Sequence, residues 1–175
     1  IETLRTGAEV QQAPAFGRDN RRLYTGDNQG NLYVWQVAPG DVPGYAALHL
    51  RPARALAQAG EWLAAAGSDG LVELWNSASG ERTAFDAGVD RIDALAIAAN
   101  GRLIATGSAT GEIFLFDPTS GREVARWSAH HNGVRALRFL PTGDLVSGGG
   151  EPEIRLWDET GAPAGTLIGH NSDVN

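Results

Sequence analysis

Residues 147–158, SGGGEPEIRLWD, decide the fold. A short strand ends in Ser-Gly, a tight turn follows, and an alternating strand runs Ile154-Arg155-Leu156-Trp157-Asp158. Side chains in such a strand point to opposite faces with a period of two, so one face carries Ile154 and Leu156 and the other Arg155 and Trp157. The same phrase occurs as TGDNQGNLYVWQ at 25–36, AGSDGLVELWN at 66–76 and TGSATGEIFLFD at 106–117. Its aromatic positions, Trp35, Trp75, Phe116 and Trp157, lie 40, 41 and 41 residues apart.

A fixed period of that length, with room for four short strands per unit, is the sequence mark of a propeller blade. The phrase therefore sets the register for the whole chain. Residues 1–10 align with the outer strand of a preceding unit. Four units follow, at 11–48, 49–87, 88–129 and 130–169, and residues 170–175 align with the start of the next. In the third unit the strands read IDALAIA, RLIATG, EIFLFD and EVARWS; in the fourth, VRALRF, DLVSGG, EIRLWD and GTLIG. Between them sit turn-forming pairs such as Asp69-Gly70, Ser79-Gly80, Ser120-Gly121 and Thr142-Gly143. IDALAIA is rich in helix-forming Ala, but its place in the repeat makes it a small-residue inner strand. The expectation is an all-β propeller of four-stranded antiparallel blades, about four blades being present.

Composition narrows the function. The 175 residues include no Cys and no Met, and all 14 basic residues are Arg. Without Cys there is neither a disulfide framework nor a thiolate metal site, which fits a reducing, cytoplasmic setting. A formal net charge of -7 argues against broad attraction to nucleic acid or anionic membrane. No segment approaches the roughly 18 consecutive apolar residues of a membrane span. The wealth of Ala, Gly and Arg without Lys resembles the product of a GC-rich bacterial gene.

Trp157-Asp158 closing a third strand, Gly169-His170 opening the next unit, and the Asp69-Gly70 turn together resemble the WD-repeat family. The resemblance spans nearly the whole chain. It implies a hydrogen-bonded His, Ser/Thr, Asp and Trp network inside each blade, which stabilises only when every polar member has a partner. The fourth unit carries His130, Ser147, Glu151 in the Asp place, and Trp157. The second keeps His49, Asp69 and Trp75, with Ala66 in the hydroxyl place. The third has Gly88, Thr106, Thr110 and Phe116, and the first has Gly7, Thr25, Gln29 and Trp35. Closed rings of this family have seven or eight blades, so the resemblance also implies further blades from the same chain or another copy.

No catalytic constellation stands out. His49, His130 and His170 recur at one repeat position, which marks them as structural, and no metal-ligand spacing is present. Gly148-Gly149-Gly150 lacks the Gly-Lys-Ser/Thr sequel and the helix of a phosphate loop. The stretch DPTSGREVARW at 117–127 approaches the phrase of quinoprotein-like propellers, but its last spacing is two residues too long. A local patch of Arg51, Arg54, Arg91, Arg135 and Arg138 is the other alternative, a nucleic-acid surface; scattered surface charges account for it more simply. The expectation is a noncatalytic protein-interaction scaffold or sensor platform with no cofactor, one module of a larger regulatory protein. The family resemblance places its docking face on Asn28, Arg51, Ser68, Arg91, Ala109, Asn132, Gly150 and Ser172, and its partner is a protein or peptide.

Overall fold

The structure, a computed structural model, describes residues 15–16, 22–26, 32–36, 53–76 and 78–169. Fifteen strands make up the regular structure of those residues, and no helix occurs among them. In the first unit β1 (Ala15–Phe16), β2 (Arg22–Gly26) and β3 (Leu32–Gln36) form a three-stranded sheet in that order. The outer strand expected near 46–48 lies outside the described residues. The second unit contributes β4 (Ala53–Ala59), β5 (Trp62–Gly67), β6 (Leu71–Asn76) and β7 (Arg82–Asp86). The third contributes β8 (Ile92–Ile97), β9 (Ile104–Ser108), β10 (Glu112–Asp117) and β11 (Arg122–Ser128). The fourth contributes β12 (Val134–Phe139), β13 (Leu145–Gly149), β14 (Glu153–Trp157) and β15 (Pro163–Ile168). Each of these three is a four-stranded antiparallel sheet with neighbours in sequence order, a blade-like meander.

Stacking of the sheets creates the core. Blade 3 is enclosed on both faces: every residue of β9 is buried, as are Ile113 to Phe116 of β10. One of its faces (Leu95, Ile97, Ile104, Phe114, Phe116) packs on Ala55, Ala57, Ala64, Ala66, Val72 and Leu74 of blade 2. Its other face (Ala94, Ala96, Ala105, Ile113, Leu115) packs on Val134, Leu145 and Trp157 of blade 4. The alternation read in EIFLFD thus serves two interfaces at once, Phe114 and Phe116 facing blade 2 and Ile113 and Leu115 facing blade 4. The run at 92–97 is the inner strand β8, its Ala94 and Ala96 packed in the interface with blade 4 and its Leu95 and Ile97 in the interface with blade 2.

The aromatic of the repeated phrase has a recurring mate. Phe85 of β7 meets Phe116 with ring centroids 4.8 Å apart, and one blade later Trp127 of β11 meets Trp157 at 5.4 Å. A turn glycine closes over each mate: a Cβ on Gly121 would come within 2.9 Å of Phe85, and one on Gly161 within 2.6 Å of Trp127. Burying rings of this size contributes about 1.5–3 kcal/mol each.

Candidate functional site

Because each meander begins and ends with a crossing of the blade, its inner-strand start, its second-to-third-strand turn and the connection to the next blade share one rim. That rim holds the polar groups of interest. In blade 4 the rim connection places His130, 2% exposed, beneath the turn that carries Glu151. Its Nδ1 lies 2.7 Å from Glu151 Oε2 and its Nε2 lies 2.9 Å from Ser147 Oγ. Trp157 Nε1 donates to the same Ser147 Oγ at 2.8 Å. Ser147 Oγ thus joins the two rings, accepting from Trp157 and bonding to His130 Nε2, while His130 Nδ1 bonds to the carboxylate. Glu151 Oε1 in turn accepts from the His131 backbone N–H at 2.5 Å. Burial works to raise the Glu151 carboxyl. The His131 N–H, the His130 bond and the His130 and Arg155 charges outweigh it, so the group lies below its ordinary 4.5. The extra methylene of Glu over Asp lets one carboxylate span both the ring and the backbone.

Among the described residues, blades 2 and 3 do not show the same Ser-to-Trp link. In blade 3, Thr106 is fully buried and its Oγ1 has no partner, because Gly88 and Phe116 stand where blade 4 has His130 and Trp157. Ser108, Thr110 and Glu112 instead bond among themselves along the turn. In blade 2 the pairing of Leu63 with Trp75 puts Ala65, not Ala66, at the hydroxyl position, as the pairing of Leu145 with Trp157 shows for Ser147. The sequence reading was one residue out there, since a run of three Ala has no internal marker of register. Asp69 accepts from the Leu71 N–H at 3.3 Å, and Trp75 packs beside Tyr24 and Leu63. His49 lies outside the described residues.

Ser68, Arg91, Ala109, Asn132 and Gly150 all fall on this rim; Asn28, Arg51 and Ser172 lie outside the described residues. Ser68 and Asn132 are exposed. The rim is tightly tied. Asn132 Nδ2 reaches Gly150 O at 3.5 Å, Gly150 N donates to Gly133 O at 3.3 Å, and Ala109 N donates to Arg91 O at 3.3 Å. Gly70 and Gly111 abut the next blade's connection so closely that a Cβ would stand 1.8 Å from Val89 O and His130 O respectively. Pro152 occupies the equivalent place in blade 4.

The opposite rim holds Asp117 and Asp158. Asp117 Oδ1 accepts from Thr119 N and Ser120 N, and Asp158 Oδ1 from Thr160 Oγ1, Thr160 N and Ala162 N. The Ser120 backbone bond is the largest influence lowering the Asp117 carboxyl, and the Thr160 hydroxyl bond the largest lowering Asp158. Both therefore work as ionised turn-formers. Among the described residues no group of three or more His, Cys, Asp or Glu side chains could hold a metal ion, and no helix is long and apolar enough to cross a membrane.

Sequence reasoning had set the arginines aside as scattered. The structure instead draws Arg54 and Arg91 onto one carboxylate, Asp93, at 2.5 Å and 2.7 Å. Aligning the repeats on Ala53, Ile92 and Val134 puts Arg54, Asp93 and Arg135 in one column, which is the signal that could have found them. Arg138 lies three residues further along β12, about 10 Å away, outside that row.

Comparison with known proteins agrees with this architecture. Residues 121–158 match the family model described as WD domain, G-beta repeat. That segment is thus similar to a WD repeat. Protein ROOT INITIATION DEFECTIVE 3 of Arabidopsis thaliana is 30% identical to this chain over 115 residues, 61% of this chain and 26% of the plant protein. The computationally designed Ika8 protein superposes with a TM-score of 0.76 at 22% identity, over 93% of this chain and 50% of that one. The chain thus spans about a quarter of the plant protein's length and half of the designed one. WD repeats generally serve as protein-interaction scaffolds and are typically noncatalytic.

Proposed function

We propose that this chain is a noncatalytic docking module which holds a protein or peptide partner on the rim carrying Ser68, Arg91, Ala109, Asn132 and Gly150, within a larger regulatory protein. One observation carries the reading: the side chains that repeat are consumed inside the blades, whereas those on this rim change from blade to blade on a backbone fixed by hydrogen bonds. Exposed, varied side chains on a rigid support are what selective binding of an asymmetric surface needs. His130 and Glu151 bond to each other, and their remaining bonds go to Ser147 and the His131 N–H within the same blade.

A photo-cross-linking amino acid tests this reading, placed at Ser68 or Asn132 on the rim and at Val124 or Thr166 on the outer strands. The expected result is partner cross-links from the first pair and few from the second. Cross-links concentrated at Val124 and Thr166 would move the docking surface to the outer edge.

A further inference from the structure

Asn-Gly occurs twice in the chain, at 100–101 and 132–133, and the fold treats the two pairs in opposite ways. Glycine after asparagine leaves the side-chain amide carbon open to the next backbone nitrogen, since no Cβ stands in the way. At the first pair that nitrogen is in use. Gly101 N donates to Ala98 O at 2.8 Å, and Asn100 Oδ1 accepts from Arg102 N at 2.9 Å. At the second pair it is idle: Gly133 is buried, and its N–H makes no hydrogen bond among the described residues. Asn132 is exposed, and its side chain has a single long bond among the described residues, Nδ2 to Gly150 O at 3.5 Å.

The fold itself keeps this pair in place. Gly133 adopts φ 85°, a left-handed conformation that favours glycine, and a Cβ there would stand 3.1 Å from Ala109 O. A buried N–H without an acceptor raises the free energy of the folded chain. Ring closure onto Asn132 removes that donor and loses only the 3.5 Å bond. The same closure at Asn100 forfeits two good bonds inside the turn at 98–103.

We infer that Asn132-Gly133 is a self-modification site, at which the rim converts its own amide into a carboxylate. Gly133 N attacks Asn132 Cγ. The N–Cγ bond forms, the Cγ–Nδ2 bond breaks, and Nδ2 leaves as ammonia with the proton from Gly133 N. One water then opens the cyclic imide. Cleavage of the new N–Cγ bond gives aspartate. Cleavage between the nitrogen and the Asn132 main-chain carbonyl carbon gives isoaspartate, whose extra methylene lengthens the backbone. Either product adds a negative charge to the rim, and the aspartate sets a carboxylate against the Gly150 carbonyl in place of a donor. The isoaspartate also shifts Gly133, whose O accepts from Gly150 N at 3.3 Å, so the turn that carries Glu151 loosens. The chemical step rests on this geometry alone; its effect on a partner rests on the docking-rim reading, since Asn132 is one of the rim residues.

Peptide mapping by mass spectrometry tests the inference on the full protein after incubation at mildly alkaline pH. Cleavage after arginine releases residues 92–102 and 127–135, each with one Asn and no Gln, so one digest reads both pairs. In the folded protein Asn132 converts at least about tenfold faster than Asn100, the effect of one or two hydrogen bonds on a barrier. Unfolding in urea brings the two rates close together, because both nitrogens are then free. Hydrogen exchange at Gly150 N quickens in the incubated protein but not in an incubated Asn132→Gln variant, whose longer side chain closes such a ring far more slowly. Asn100 converting as fast as Asn132 in the folded protein, a rate ratio unchanged by urea, or an unaltered Gly150 amide overturns the inference. Cross-linking at Ser68 separates the two claims. Partner cross-links there with no conversion at Asn132 preserve the docking rim and remove its modification; conversion without rim cross-links preserves the modification and removes the docking reading.

Discussion

Ser147 has a single hydroxyl and serves two rings with it, accepting from Trp157 and bonding to His130 Nε2. The path ends on Glu151, whose carboxylate closes the rim turn through the His131 N–H. A buried chain of this kind stabilises because every member is matched, and the loss of one end exposes the cost of the rest. At neutral pH Glu151→Gln is expected to cost about 2 kcal/mol, the range for bonds to a charged group. The carboxyl lies below 4.5 in the folded protein, so the unfolded chain takes up its proton first as pH falls. Its contribution is complete above that value and is lost as pH drops through the lowered one. Urea midpoints of the two proteins, taken from about pH 7 to about pH 3, should converge at the acid end. Asp117 and Asp158 titrate with the same sign in both proteins and cancel from the difference. A gap that persists unchanged at acid pH would show that the carboxylate charge is not what holds the turn.

Strands and turns were legible to different degrees. Alternation with fixed spacing placed β6, β10 and β14, because a half-period error would have turned Trp75, Phe116 and Trp157 away from the neighbouring blade. The β-bulges at Arg54, Asp93 and Arg135, in β4, β8 and β12, were not legible. A bulge depends on how the paired strand is spaced, and nothing in RPARALAQ or DRIDALAI distinguishes an extra residue from a paired one. For the same reason the Arg54–Asp93–Arg91 cluster stayed hidden, as did the position of Ala65. The turn glycines are a clearer case of sequence meeting geometry. Gly111 adopts φ 96° and abuts His130 O, so Gly111→Ala must displace backbone and should cost more than about 2 kcal/mol. Gly80, at φ 74° with open space around it, should cost only about 1 kcal/mol on replacement by Ala. Thermal denaturation of the two variants checks the order; equal losses would mean that the inter-blade contact at Gly111 is slack.

Over the whole molecule, the stack distributes stability unevenly. Blade 3 has no complete polar network, yet it holds the most thoroughly buried strand because it has a packed neighbour on each face. Packing of repeated apolar positions, more than the His-Ser-Trp chain, therefore keeps the blades in line. On blade 4 the outer strand β15 is exposed along its full length, with Ile168 83% exposed. Since an outer strand is bonded on one side only, its amides open with little loss, whereas opening β9 means parting two blade interfaces.

Hydrogen exchange across the chain tests that claim most directly. Amides of 104–108 and 113–116 should exchange slowest, at least about a hundredfold slower than those of the outer strands 122–128 and 163–168. Outer-strand amides as slow as those of 104–108, or rapid exchange throughout 104–116, would contradict the stacked-blade account.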